Sequence, residues 1–154
     1  MDIVLPEGVL NNTNLQKIRD FVESKAKIML VVSIPQDVFI ASGATVKPSL
    51  LFFRKFTEEE TTLYATITND ARAEAVAPYL SELEDIDLKL ATRGKDAVSK
   101  EDKKRLKIRR KDIETIIETE TKKLVKERFD YQIPIAEVQK AGISTIGAPI
   151  ENEL

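Results

Sequence analysis

The chain has 154 residues, a formal net charge of −2, and neither cysteine nor histidine. This length suits a single folded domain with its own core. The missing residue types exclude disulfides, thiolate zinc sites, and the Ser-His and Cys-His arrangements of hydrolases. A net charge near zero gives the whole molecule no electrostatic attraction to nucleic acid or membrane. Composition therefore argues against an independent enzyme.

The longest strongly apolar stretch, Ile28 to Ile34, is far too short to span a bilayer. The N-terminus lacks a basic flank leading into a signal-peptide core. We therefore expect a soluble, cytoplasmic protein with no membrane contact.

The first part of the chain, residues 1–56, breaks into short apolar runs at Pro, Gly and Asn. Ile3 to Leu5 is predicted to be a brief strand. The unbroken apolar run Lys27 to Ile34 predicts a central strand covered on both faces, and Val46 to Phe56 predicts another strand. This order predicts part of a doubly wound α/β sheet, a fold that binds ligands beyond the carboxyl ends of its strands.

A helix is predicted between the first two strands, from Asn14 to Ser24, because the asparagines and threonine before it are good N-caps. Apolar residues recur along it at helical spacing, which predicts one buried face. The residues of that face are Leu15, Ile18, Phe21 and Val22.

Residues 57–128 have apolar residues at helical spacing throughout, which predicts a long antiparallel helical hairpin. Its first arm is expected to kink near Pro78. Gly94 and Lys95 are predicted to form the turn, and the second helix is predicted from about Ser99 to Arg128.

Charge is unevenly distributed along this hairpin. Residues 57–90 carry nine acidic and two basic side chains, whereas residues 99–111 carry eight basic and two acidic ones. The commoner explanation of such a basic run is a solvated helix face that complements an acidic neighbour. The functional alternative is contact with DNA phosphates.

The last part, residues 129–154, turns extended again, and Pro134 suits an edge strand better than a central one. The helical hairpin is therefore interpreted as an insertion into one α/β domain.

Three segments together resemble the adenine-N6 DNA methylase family, particularly the modification subunits of type I restriction-modification systems. The first is Val4-Leu5-Pro6-Glu7-Gly8-Val9-Leu10, before the predicted helix. The second is Val31-Val32-Ser33-Ile34-Pro35, followed by Phe39, Ser42-Gly43 and the run Val46 to Lys55. The third is Arg128-Phe129-Asp130-Tyr131 with Ile133 to Val138, Ala141-Gly142-Ile143 and Gly147. The family usually carries Lys-Thr-Ser where this chain has Lys47-Pro48-Ser49.

Two motifs of such enzymes are missing from this chain. The family binds S-adenosylmethionine at a glycine-rich turn and holds the target amine with an Asn/Asp-Pro-Pro-Tyr/Phe motif, and neither occurs here. Both precede the resembling segments in the family. The resemblance thus implies a partial Rossmann-like methyltransferase sheet, the C-terminal half of a methyltransferase region, that is inactive alone and binds no cofactor by itself.

The resemblance also implies a role for the loop after the central strand. Phe39 looks like the residue that packs on the flipped target base, Gly43 lets the backbone approach DNA, and Lys47 reaches a phosphate. The alternatives are a core phenylalanine that closes the end of the sheet and a merely solvated lysine. Glu7 is not expected to be a general base, because the sequence gives it no titratable partner.

The remaining DNA-binding candidates come from the basic run: Lys104, Arg105, Arg109 and Arg110. The partners that the resemblance implies are DNA, the specificity subunit and a restriction subunit. An alternative function is a non-catalytic hairpin module that docks the specificity subunit or a second modification subunit. We also expect the chain to self-associate, because the strand Ile3 to Leu5 would leave an unprotected sheet edge.

Overall fold

A computed structural model describes residues 1–94 and 97–154. Lys95, predicted to share a turn with Gly94, lies outside the described residues. The helices and strands are β1 (Asp2–Pro6), α1 (Gly8–Asn11), α2 (Gln16–Glu23), β2 (Ala26–Ser33), β3 (Pro48–Lys55), α3 (Glu58–Val76), α4 (Leu80–Ala91), α5 (Lys100–Arg128), β4 (Ile135–Glu137), β5 (Ala141–Ile143) and β6 (Pro149–Asn152). Short 3₁₀ segments are Thr13–Leu15, Gln36–Ser42 and Ala77–Tyr79. The chain divides into two compact units, residues 1–61 with 131–154, and residues 62–130.

The first unit is built on a four-stranded mixed sheet in the order β1-β3-β2-β4. The prediction of a mixed α/β fold is confirmed. Strand β3 is antiparallel to both β1 and β2, and β2 is parallel to β4. Strands β1, β2 and β4 therefore run in one direction. Neighbouring strands are mostly antiparallel, unlike the parallel neighbours of the predicted doubly wound sheet. Strand β4 lies at an edge, as Pro134 predicted.

The core of the first unit lies where β2 continues into its following loop. Val32, Ile34 and Val138 are buried there, and partly buried residues surround them: Leu30, Val38, Leu50, Phe52 and Ala141. The pairing of β2 with β3 shifts between Ile28 and Leu30, so Met29 is an extra residue in a bulge and is 50% exposed. The prediction that this strand is covered on both faces is wrong at the bulge.

Helix α2 does not bury the predicted apolar face. Ile18 is exposed and Phe21 is 65% exposed, whereas Leu15 and Val22 are only partly buried. The helix has eight residues, which limits the surface that it can cover. The predicted N-cap acts one step earlier: the side chain of Asn12 accepts a hydrogen bond from the backbone N–H of Asn14 at 2.9 Å and caps the 3₁₀ segment Thr13–Leu15, whereas α2 itself has no side-chain cap.

The second unit is the predicted pair of long helical arms. Its buried core is formed by Ala75, Ile86, Ile113 and Ile117. At the other end of the unit the rings of Tyr64 and Phe129 meet edge to face, 5.2 Å between centroids. The predicted kink is confirmed, since the 3₁₀ segment containing Pro78 separates α3 from α4. In the described ranges, no helix has the length and apolar character needed to cross a membrane.

Candidate functional site

One candidate surface in the first unit lies beyond the carboxyl ends of its co-directional strands. Because β1, β2 and β4 run in one direction, the segments that follow them leave the same edge of the sheet. The 3₁₀ segment Gln36–Ser42 follows β2 and carries Phe39. The N–H of Glu7, just after β1, donates to the carbonyl of Lys47 at 3.0 Å. The fold thus brings the end of β1, the segment after β2 and the start of β3 together at one end of the sheet.

Phe39 is half-buried, and its backbone carbonyl holds the loop. That carbonyl accepts hydrogen bonds from the hydroxyl of Ser42 at 2.8 Å and the N–H of Ala44 at 3.0 Å. The neighbouring Val38, rather than Phe39, packs against the buried core cluster. Phe39 is therefore partly exposed and lies outside the buried core cluster.

Gly43 ends this 3₁₀ segment in the left-handed conformation, with a φ of 86°. A Cβ at this position would meet no atom within 4 Å. The backbone conformation, which costs glycine little, is therefore sufficient reason for the residue.

Lys47 is not simply solvated. Its Nζ lies 3.7 Å from a carboxylate oxygen of Glu7, and both side chains are partly exposed. The expectation that Glu7 has no titratable partner is therefore wrong. Glu7 and Lys47 are 40 residues apart in sequence, and the pairing of β1 with β3 brings them together. A phosphate at Lys47 would have to compete with this carboxylate.

A second candidate surface is the basic run in the second unit, and its arginines are engaged by carboxylates. Nε and Nη2 of Arg109 donate to the two oxygens of Glu82 at 2.7 and 3.0 Å. Arg110 contacts Asp87 and Glu114 at 2.8 and 2.7 Å. The Arg109 guanidinium lowers the pKa of the Glu82 carboxyl from its usual range. These pairs match the complementary-charge explanation of the run.

Arg105 is paired within its own helix, with Nη2 at 3.1 Å from a carboxylate oxygen of Glu101. Such exposed pairs, four residues apart on a helix, contribute little stability. The basic candidates therefore have unequal partners: Arg109 and Arg110 pair across the hairpin, and Arg105 pairs locally.

Lysines of the same run form a separate surface. They lie along one side of the first three turns of α5, and we call this surface the lysine face: Lys100, Lys103, Lys104, Lys107 and Lys111, with Ile108. Within the described ranges, none of these five ammonium groups is paired with a carboxylate. The complementary-charge explanation thus accounts for the arginines and leaves the lysine face unexplained.

A further polar cluster surrounds Glu60 in the first unit. Its carboxylate accepts from both terminal nitrogens of Arg54, at 3.0 and 2.8 Å, and lies 2.9 Å from Nζ of Lys27. Glu60 and Thr57 also form reciprocal bonds between side chain and backbone at the start of α3. The Arg54 guanidinium, with the Thr57 N–H and Lys27, lowers the pKa of the Glu60 carboxyl far below its usual value. The spacing Thr-x-x-Glu at the helix start was the available signal, but our sequence reasoning missed it.

The described residues contain no group of acidic side chains suited to hold a metal ion. Comparison with known proteins gives no match, either to a protein-family model or to a curated protein.

Proposed function

We propose that the chain is part of an S-adenosylmethionine-dependent adenine-N6 DNA methyltransferase of the type I modification-subunit kind, and that it forms one wall of the target-base pocket. In this proposal the mixed sheet is the C-terminal half of a Rossmann-like methyltransferase sheet. The observation that carries the proposal is the position of the 3₁₀ segment Gln36–Ser42, which carries Phe39 and leaves the edge of the sheet where β1, β2 and β4 end.

The proposed role of this loop follows from the chemistry of base methylation. An adenine amine inside a duplex is out of reach, so the base must leave the stack and rest against an apolar or aromatic face. Phe39 supplies that face because the residue is partly exposed, while its backbone carbonyl is held by Ser42 and Ala44. Gly43 is exposed and leaves the turn without a side chain on that surface. A phosphate of the DNA backbone displaces the Glu7 carboxylate from Lys47 and takes its place.

This half performs no methyl transfer by itself in the proposal. The glycine-rich turn and the Pro-Pro motif of such enzymes are absent from the sequence, so the cofactor belongs to the parent enzyme and is not bound by this chain alone. DNA, a specificity subunit and a restriction subunit are the proposed partners of the parent complex.

The test compares this chain with a version joined to the upstream half of a type I modification subunit. We expect calorimetry to detect S-adenosylmethionine binding to the joined protein alone. Transfer of labelled methyl groups to adenine in DNA should fall at least tenfold in joined Phe39→Ala. Joined Phe21→Ala is the control, because Phe21 is a similarly sized ring exposed on α2. Cofactor binding to the unjoined chain, or equal activity of both variants, would contradict the proposal.

A second candidate function is an interaction module that docks a specificity subunit or a second modification subunit through the hairpin. The observation behind it is that several large apolar side chains of the second unit are exposed: Leu63, Leu80, Leu88 and Ile116. Immobilised specificity subunit should retain the chain without cofactor, and Leu80→Lys with Leu88→Lys should abolish retention. Retention of the double variant at the wild-type level would rule out this surface.

A further inference from the structure

We propose that the lysine face binds the phosphate backbone of double-stranded DNA without reading its sequence. This proposal rests on the second unit alone and does not depend on the methyltransferase assignment. It assigns to five lysines a role that the ion pairs of the hairpin do not give them.

The positive charges of the lysine face are concentrated at the start of α5. Lys100 to Lys111 extend over about 16 Å of helix at 1.5 Å per residue. Five positive charges thus lie on one side of the first three turns, and two of them, on Lys100 and Lys103, lie in the first turn at the positive end of the helix dipole, where cations are disfavoured. Neighbouring lysines also repel one another at spacings of three and four residues. An arrangement that is unfavourable in the isolated helix becomes favourable when a polyanion lies against it.

The arginines of the same run differ from these lysines in their partners. Arg109 and Arg110 have carboxylate partners at 2.7 to 2.8 Å. Their charges are locally compensated, and a polyanion gains little from them. The lysine charges are uncompensated in the described structure and can displace the counterions condensed on a duplex.

The residue types on and around the lysine face indicate which class of polyanion it binds. Helix α5 has no aromatic residue on which the bases of a single strand could stack. Ile108 is the one apolar member of the lysine face, whereas a helix that lies in a membrane surface needs a broad apolar face. The face has no Asn or Gln for bidentate contacts to base edges. A duplex contacted through its phosphates fits these three observations.

The experiment measures binding of the chain to a labelled duplex of about 20 base pairs by fluorescence anisotropy over a series of salt concentrations. Five contacts predict that log K falls with log salt at a slope of up to about −4.5. The variant Lys104→Gln with Lys107→Gln and Lys111→Gln should make this slope shallower by about 3 and weaken binding on the order of 100-fold at 0.1 M salt. Duplexes of unrelated sequence should bind within about twofold of one another, since phosphates carry no sequence information.

The matched control is Lys17→Gln with Lys25→Gln and Lys55→Gln, which changes the net charge equally at exposed lysines of the first unit. We expect the control to keep the wild-type slope, and circular dichroism to show the same helix content in both variants. An equal loss in the control, or an unchanged slope in the lysine-face variant, would overturn the proposal. So would tighter binding to a single strand of equal length, or to vesicles containing anionic phospholipid. None of these outcomes bears on Phe39 or the cofactor.

Discussion

Arg109 donates hydrogen bonds to both carboxylate oxygens of Glu82 across the helical hairpin, at 2.7 and 3.0 Å. If this pairing occupies the guanidinium, Glu82→Gln should release a cation beside the lysine face and steepen the salt dependence of DNA binding by about one unit. Arg109→Gln should leave DNA affinity unchanged within about twofold. Fluorescence anisotropy measures both. A loss in Arg109→Gln as large as that in Lys104→Gln would show that the arginine itself contacts DNA.

The cluster around Glu60 predicts a pH dependence of stability in the first unit. Arg54 and its neighbours depress the pKa of the Glu60 carboxyl from an ordinary value of 4.5. A group with a depressed folded-state pKa stabilises the fold above its unfolded pKa, and that contribution is lost as the pH falls below it. From about pH 7 to about pH 3, the thermal midpoint should therefore fall further for the wild type than for Glu60→Gln. Exposed Glu59→Gln is the control and should follow the wild type. Parallel curves for all three proteins would disprove the prediction.

Ile113 is the most completely buried large side chain of the hairpin, with no exposed surface. Ile113→Ala removes buried methyl groups and leaves a cavity, so we expect it to lower the free energy of unfolding by about 2 to 5 kcal/mol. Ile116→Ala, on the same helix but 43% exposed, should cost less than about 1 kcal/mol. Urea denaturation followed by circular dichroism measures both values. Similar losses for the two variants would mean that the packing of α5 differs from the one described.

Thr121 is the single buried hydroxyl of the described residues without a hydrogen-bond partner, and the residue is only 9% exposed. Burying an unsatisfied hydroxyl costs free energy, and valine has nearly the same shape. Thr121→Val should therefore raise the free energy of unfolding by about 1 kcal/mol. The control is Thr115→Val, because that exposed hydroxyl donates to the carbonyl of Lys111 at 2.9 Å. A destabilised Thr121→Val variant would indicate that the hydroxyl has a partner, such as a bound water.

Strand β1 forms an edge of the sheet and predicts self-association. The N–H of Phe53 donates to the carbonyl of Met1, and the N–H of Glu7 donates to that of Lys47. Alternate residues of β1 therefore point their backbone groups toward β3, and those of Asp2 and Val4 point away from the sheet. Val4 is also 54% exposed, so this edge can pair with the same edge of a second copy.

Sedimentation velocity at several concentrations tests this pairing. The wild type should show a concentration-dependent increase in mass, and Val4→Lys should remain monomeric because it places a charge on the edge. Ile18→Lys, an equally exposed position on α2, is the control and should associate like the wild type. A wild type that is monomeric at every concentration would contradict the prediction.

Much of the fold follows from local sequence patterns. Helical spacing predicts both arms of the hairpin, and Pro78 predicts the break between α3 and α4. Strand direction is not encoded in such patterns, because an apolar run reads the same in parallel and antiparallel pairs. The placement of β3 between β1 and β2 is therefore visible only in the structure. The exposure of Phe21 has a similar cause, since spacing shows that a face is apolar and not whether another element covers it.

For the candidate sites, too, the sequence predicts the residue types involved, and only the structure shows which of them meet. Composition identifies the basic run and its acidic counterpart, but it does not show which cations meet carboxylates. That result depends on the angular position of each side chain around α5: Arg109 and Arg110 face α4, and the lysines lie to one side. The contact between Glu7 and Lys47 depends on strand pairing over a long separation in sequence, so the sequence pattern did not predict it.

The choice between arginine and lysine in the first half of α5 has a consequence for how this helix tolerates change. A guanidinium presents a planar fork that fits a carboxylate, whereas an ammonium is a compact, strongly hydrated point charge on a flexible stem. Replacing Lys104 or Lys107 by arginine would preserve the charge, but it would introduce a side chain able to seek the carboxylates that Arg109 and Arg110 now hold. An exchange that preserves the charge would then let residues of the lysine face compete with Arg109 and Arg110 for the same carboxylates. Helix α5 therefore separates pairing across the hairpin from the solvent-facing lysine face by residue type as well as by position.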